Sequence, residues 1–362
     1  MLLPSPNVPR APEAPAPKVA AHRIIKLGGA AITHKSQLET LQQDVLHRVC
    51  MSLAKDASDG DNGRIAGGTI LVHGAGSFGH HVASEYGVAR GPLTDPHVRN
   101  GFTLTRASVT RLNGYVVAGL VAAGIPAVGL SPLGHYTTSA REVSVSGAGA
   151  VADCLRAGLV PVLHGDAVLD EQLGCTILSG DTLVRDLAEQ LRPQYVVFLT
   201  NVAGVYDRPP EEEGARLLRR IVVRRKDGSW RVTAADGGSE LDIRMTADTH
   251  DVTGGIALKV EEAARVARLG VPVLIAQAGT EDGAAACRLG PLVAVDGIFP
   301  VPPSEPGWGP GCLAAKSNET ERQQINAAAG QQCAAAWRGT LVVLDDDEGL
   351  EKEALGGVGS AG

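Results

Sequence analysis

The sequence has few aromatic residues: Phe, Trp and Tyr make up 3% of its 362 positions. Its core must therefore be built from small aliphatic side chains, and 44% hydrophobic residues with 45 glycines suit a Val/Ala/Leu/Gly-rich α/β protein. No apolar run approaches the roughly eighteen residues of a membrane span, so none is expected. A net charge of −7 argues against general binding to nucleic acid or membrane surfaces. Any phosphate chemistry then depends on a few locally placed lysines. The six cysteines (Cys50, Cys154, Cys175, Cys287, Cys312, Cys333) contain no C-x-x-C pair. Such scattered thiols fit a reducing, cytoplasmic setting better than disulfides or zinc, and no metal-ligand set is assigned. There is no G-x-x-x-x-G-K-[ST], which disfavours a P-loop enzyme, and no H-R-D or D-F-G set of a protein kinase. Residues 1–22 are Pro/Ala-rich and lack the apolar core of a signal peptide. They read as a flexible tail, with an organelle transit peptide as the alternative.

What is present centres on one glycine turn. The apolar run Thr69-Ile70-Leu71-Val72 feeds into His73-Gly74-Ala75-Gly76-Ser77-Phe78-Gly79-His80. The run predicts a buried strand and the glycines the turn leaving it. Without a Cβ, glycine lets backbone N–H groups approach an anion, and a helix opening near Val82 would add its N-terminal partial charge. A phosphate site follows, with His80 placed to touch its occupant. The same glycines fit the dinucleotide pattern G-x-G-x-x-G, which needs an acidic residue about twenty positions on. The nearest candidate, Asp95, sits in Thr94-Asp95-Pro96, which reads as a turn.

The pattern of strand followed by polar turn recurs. Arg23-Ile24-Ile25-Lys26-Leu27 ends in Gly28-Gly29-Ala30, with Lys35 just beyond; Lys35 taken alone reads as a surface lysine. Leu159 to Leu163 runs into His164-Gly165-Asp166, and Tyr195 to Leu199 into Thr200-Asn201-Val202-Ala203-Gly204. Thr176-Ile177-Leu178 leads to Ser179-Gly180-Asp181 and a helix over 182–191, where capping by Asp181 or Thr182 would explain Asp181 without chemistry. Helical spacing also marks 36–53, 100–123, 144–157 and a segment through Lys259 to Leu269. Stretches 217–223 and 229–232 predict a hairpin around Lys226-Asp227-Gly228. This alternation signals a mostly parallel sheet covered by helices, with ligands at the strands' carboxyl ends. Residues 294–339, dense in Pro, Gly, Ala and Gln, read as an insertion within a single domain spanning 23–344. A last strand at 341–344 and a flexible tail over 345–362 complete the chain.

Six of these motifs, in this order, resemble the amino acid kinase superfamily: Lys26-Leu27-Gly28-Gly29, the His73–Gly79 loop, His164-Gly165-Asp166, Ser179-Gly180-Asp181, Thr200 to Tyr206, and Thr253-Gly254-Gly255 with Lys259. Within it, Gly76-Ser77-Phe78-Gly79-His80 is similar to the isopentenyl phosphate kinases, especially those of plants and algae. The resemblance covers about residues 23–280 and the last strand. It implies an open three-layer αβα fold, ATP with Mg²⁺, a homodimer, and conversion of isopentenyl phosphate to its diphosphate. It places Lys26, Leu27, Gly28, Gly29 and Ala30 on the nucleotide phosphates, with Gly76, Gly204 and Lys259 also in the ATP site. Lys35 would stabilise the transition state and Asp181 would organise the lysines. Ala75, Gly76 and Gly165 would hold phosphate through their backbones, and His80 would hydrogen-bond the acceptor. Ala30 stands where many members carry Ser, which removes a hydroxyl from the turn.

Chemistry agrees on the acceptor. A phosphate monoester is already dianionic, so its transfer needs screening between two polyanions rather than a strong base. A histidine donor suits that acceptor, whereas an amine or carboxylate acceptor would leave His80 idle; the alternative role for His80 is a cap at the start of a helix. Val82, Ala83, Tyr86, Val88 and the Leu130-Ser131-Pro132-Leu133 turn are candidates for a hydrocarbon pocket, though they equally suit plain core. Two other functions remain open: a kinase for another small acceptor, and a nucleotide-sensing regulator on the same fold.

Overall fold

The computed structural model describes residues 21–34, 36–58, 68–233, 256–294 and 337–345. The chain begins with β1 (Arg23–Leu27), a single turn α1 (Gly29–Ile32) and α2 (Gln43–Ser58). Next come β2 (Thr69–His73), the short α3 (His80–Glu85) and the long α4 (Pro96–Ala122), then β3 (Ala127–Gly129), β4 (Thr137–Ser139) and β5 (Glu142–Val145). Helix α5 (Ala148–Arg156) precedes β6 (Val160–His164), β7 (Asp166–Asp170) and β8 (Gly174–Leu178). Helix α6 (Gly180–Leu191) leads to β9 (Tyr195–Thr200) and four short strands, β10 (Val205–Tyr206), β11 (Leu217–Leu218), β12 (Arg220–Val223) and β13 (Trp230–Thr233). The remainder is α7 (Ile256–Ala267), β14 (Val273–Gln277), α8 (Glu281–Leu289) and β15 (Gly339–Leu344).

Nine strands form one sheet in the order β13-β12-β15-β14-β9-β1-β2-β6-β3. It is parallel except where β13 meets β12 and β15 meets β14, as the alternating sequence predicts. Successive strand residues bury on opposite faces. Ile25, Leu71, Val197 and Leu274 pack under α2, α4 and α8 with Leu46, Leu112 and Ala286. Ile24, Ile70, Val196 and Val273 pack under α5, α6 and α7 with Val151, Leu187 and Val260. Both faces are covered, which gives the three-layer αβα arrangement.

Register aligns the strand ends. Leu27 lies opposite both His73 and Leu199, and His73 lies opposite His164, so the turns leaving β1, β2, β6 and β9 emerge side by side. A smaller sheet, β5-β4-β7-β8, stands beside this edge.

Several boundaries differ from the sequence reading. Thr94-Asp95-Pro96 opens α4: Asp95 Oδ1 accepts from His97 N at 2.8 Å, with proline in the first turn. The predicted helix over 144–157 begins only at Ala148, because Glu142–Val145 pairs with β4. The stretch 217–223 divides at Arg219: Leu217–Leu218 pairs with β10, and the predicted hairpin is β12 with β13. The final strand runs inside the sheet, between β12 and β14. Lys35 and residues 295–336 lie outside the described residues.

Strand β15 is tied down by Thr340, whose buried hydroxyl donates to Leu218 O at 2.6 Å and accepts from Val205 N at 2.9 Å. Thr340→Val should lower stability by about 1–3 kcal/mol in urea unfolding, since it strands both backbone groups. Unchanged stability would show that these bonds carry no net energy.

Candidate active site

Each turn at the carboxyl edge continues the ladder of the sheet by one residue. Gly28 N donates to Leu199 O at 2.8 Å, Gly74 N to Leu27 O at 2.9 Å, and Gly165 N to His73 O at 2.9 Å. The turns after β1 and β2 are pressed together backbone to backbone. A Cβ on Gly29 would lie 2.4 Å from Gly76 N, and one on Gly74 would lie 2.7 Å from Gly29 N. Gly76 also has φ +51, so glycine is required there twice over.

Beside them opens a cavity of about 510 Å³. Gly74, Ala75, Gly165, Ser179, Gly180 and Asp181 bring the turns to it, and His80 stands at its edge. Ala83, Val109 and Ile177, from α3, α4 and β8, supply apolar wall. Of the residues proposed for a hydrocarbon pocket, Ala83 lines this cavity. Val88 and Tyr86 pack in the same small core cluster as Ala83 and Ile177, and the ring of Tyr86 stacks on His97 with centroids 4.6 Å apart. Val109 and Ile177 were beyond reach of the sequence reading because their elements meet only in the fold.

Lys26 occupies the central strand, flanked by Val72 and Phe198. Its ammonium group pairs with Asp181 and sits 4.9 Å from the centre of the Phe198 ring. A lysine among aliphatic strands loses hydration, and these two partners offset that cost while holding the charge at the cavity. The cap of α6 is Ser179, whose Oγ accepts from Thr182 N at 3.0 Å. The expectation that Asp181 or Thr182 caps this helix is thus corrected, and Asp181 is left for Lys26. His80 is the first residue of α3, but the cap position is Gly79 and no side chain caps it. His80 is exposed at the cavity, which removes the capping explanation for it.

Other assigned residues sit differently. Leu27 is buried in the core, and its carbonyl is occupied by Gly74 N. Ala30 is half-buried, its carbonyl accepting from Gln42 Nε2 at 3.3 Å. Gly204 is absent from the cavity wall; a Cβ there would lie 2.5 Å from Thr340 Oγ1, so packing against β15 accounts for that glycine. Lys259 falls near the start of α7.

Two buried polar groups underlie the turns. The rings of His73 and His164 stack 5.6 Å apart. Asn113 Nδ2 donates to His73 Nε2 at 3.1 Å, while His73 Nδ1 donates to Gly74 O and His164 Nδ1 to Gly165 O. Burial lowers His73 to about 3, with the nearby His164 adding to the effect, and burial lowers His164 to about 4. Both rings are neutral supports for the loops rather than proton carriers. Asp166, which the sequence reading left without a role, is fully buried and lies 3.3 Å from Arg106 Nε. Burial raises its carboxyl to about 6, against the opposing pull of Arg106.

The comparisons with known proteins agree with this arrangement. The model of the amino acid kinase family matches residues 22–277. With a strand lysine held by an aspartate at the carboxyl edge of an αβα sheet, beside close-packed glycine turns, the chain belongs to the amino acid kinase family. Within it, the chain is similar to isopentenyl phosphate kinases. The enzyme of that name from Arabidopsis thaliana is 44% identical over 292 residues, covering 71% of this chain and 87% of the relative. That of Methanothermobacter thermautotrophicus is 32% identical over 255 residues, covering 68% and 88%. A solved structure of isopentenyl phosphate kinase matches with TM-score 0.59 and 30% identity, covering 74% of this chain and 96% of that one.

Two outcomes test the site. A Cβ on Gly165 would make only ordinary contacts, 3.5 Å from Gly180 N and 3.6 Å from Ala75 N, but it would occupy space beside those amides at the cavity wall. Gly165→Ala should therefore keep its melting temperature while the KM for a phosphate acceptor rises roughly tenfold, the loss of about one charge-assisted hydrogen bond. An unchanged KM would mean that no anion sits there. The second outcome concerns acid. The neutral His73 and His164 contribute stability that is complete above the unfolded histidine value of about 6.5 and is lost as pH falls toward their folded values. Asp166, raised to about 6, acts in the opposite sense below that pH, but one carboxyl offsets one imidazole of two. From about pH 6 to pH 5 these three groups together take up about one proton on unfolding, a loss of about 1.4 kcal/mol per pH unit that the carboxyls of Asp186 and Glu262, also raised by burial, offset in part. Urea midpoints that hold steady or rise over that range would contradict it.

Proposed function

We propose that this chain phosphorylates isopentenyl phosphate with ATP, yielding isopentenyl diphosphate and ADP. The observation that carries the reading is one cavity lined by Asp181, the partner of Lys26, by three glycine-bearing turns and by His80. The similarity to isopentenyl phosphate kinases supports the choice of acceptor.

In this reading an oxygen of the acceptor phosphate attacks the terminal phosphorus of ATP. A new P–O bond forms, the bond to the ADP oxygen breaks, and no strong base is needed because the acceptor oxygen is already anionic. Lys26, held by Asp181, neutralises charge on the transferring group. Lys35 and Lys259 are proposed as the further cations, and Gly28, Gly29, Ala30, Gly76 and Gly204 as the nucleotide's backbone contacts. His80 donates a hydrogen bond to the acceptor phosphate, whose other contacts come from Ala75, Gly76 and Gly165. The apolar wall of Ala83, Val109 and Ile177 suits a short hydrocarbon chain.

Among the described residues no three His, Cys, Asp or Glu side chains cluster as a metal site. Asp181, a carboxylate on the cavity wall, is the residue that would meet Mg²⁺ brought in on nucleotide oxygens and its own waters. When bound, Mg²⁺ supplies further charge neutralisation. We also propose a homodimer, a cytoplasmic location in keeping with the free thiols of Cys50, Cys154 and Cys175, and one domain over 23–344 carrying the 294–339 insertion. Among the described residues no helix is long and apolar enough to cross a membrane.

A coupled ADP-release assay over phosphate monoesters tests the reading, with isopentenyl phosphate expected as the preferred acceptor. His80→Ala should reduce its turnover on the order of a hundredfold while ATP still binds, as for loss of one donor aimed at the reacting phosphate. Wild-type acceptor kinetics in that variant would remove His80 from the mechanism.

A further inference from the structure

One buried side chain joins the two glycine turns. Thr33 ends α1 and is fully buried. Its hydroxyl donates to Gly29 O at 2.8 Å, the ordinary bond of a threonine to the carbonyl four residues back. The same oxygen accepts from Ser77 N at 3.0 Å, 44 residues further along, in the turn after β2. The two bonds run in series from one turn to the other. Gln42 holds the turn after β1 from its other side, Nε2 donating to Ala30 O at 3.3 Å and to Thr33 O at 3.1 Å. There is no slack: a Cβ on Gly76 would lie 2.2 Å from Thr33 Oγ1.

We propose that Thr33 is a positioning residue for phosphoryl transfer, its hydroxyl setting the separation between the turn that holds the donor phosphates and the turn that holds the acceptor phosphate. This rests on the reading of function above. The reason is geometric. Transfer requires the attacking oxygen within about 3–3.5 Å of phosphorus, and two polyanions repel each other toward longer distances. Glycine turns have no side chains of their own to resist that repulsion. Without the hydroxyl, Ser77 N–H loses its partner, and what joins the turns is the Gly74 N to Leu27 O bond at their base and a long one, 3.5 Å, from Glu39 N to Ser77 O. Each turn would still bind its own ligand, so the loss should fall on the chemical step rather than on binding.

The test compares Thr33→Val with Thr33→Ser, varying ATP and isopentenyl phosphate independently. In Thr33→Val, kcat should fall roughly tenfold to hundredfold while both KM values stay within about threefold of wild type. Thr33→Ser should recover most of kcat. A wild-type kcat in a folded Thr33→Val protein would overturn the proposal, as would a loss appearing in the KM values alone. If Thr33→Val does not fold, Thr33→Ala is measured in its place, and failure of both to fold makes the hydroxyl purely structural. Wild-type protein that ignores isopentenyl phosphate would instead end the functional reading. Thr33 would then be judged on whichever phosphate monoester is turned over, and if none is, both ideas fall.

Discussion

The turn after β1 lies against the turn after β2 with no room for a side chain between Gly29 and Gly74 or Gly76, and the rest of the site depends on that contact. A kinase that joins two phosphates must bring like charges together. At about 4 Å, in surroundings of intermediate polarity, each such pair of unit charges costs about 4 kcal/mol. A rigid backbone contact supplies the geometry but no compensating charge. The parallel sheet supplies the rest by ending β1, β2, β6 and β9 in one row, which brings Lys26 and the turn amides together, and the start of α6 adds Asp181.

That row also accounts for the unusual position of Lys26. Strand β1 has neighbours on both sides, and its apolar side chains Ile24, Ile25 and Leu27 are in the core. A cation there would be costly if it served stability alone. Its pairing with Asp181 and the face of Phe198 holds it in place and aimed, an arrangement that favours a role toward an external anion over a role in folding.

Much of this was legible in the sequence, for identifiable reasons. Strands β1, β2, β6 and β9 are buried on both faces, so they appear as continuous apolar runs, and the glycine turns that end them carry their own signature. Local chemistry was harder to read. Asp181 looked like a helix cap because Asp, Ser and Thr at a helix start are interchangeable on paper; Ser179 takes the cap in space. Thr94-Asp95-Pro96 looked like a turn because an N-cap and proline at a first helical position use turn residues. The apolar wall was legible only in part, for another reason. Ala83 was near enough to the histidine to be named, whereas Val109 and Ile177 reach the cavity only through the packing of α4 and β8. Thr33 drew no notice because a threonine after a short helix is unremarkable until its partner at Ser77 is seen.

Strand β15 has a consequence for how the molecule is made. Residues 339–344 fill an interior slot between β12 and β14, so strands synthesised much earlier must wait for them before that half of the sheet closes. The nascent chain can assemble β1, β2, β6 and β9 while still growing, yet the loop around Gly204 and Val205 gains its anchor only when Thr340 leaves the ribosome. Until then, the open sides of β12 and β14 are unpaired edges that invite contact with other chains. The catalytic half would thus mature before the half that braces it, and the growing polypeptide is most vulnerable to aggregation in that interval.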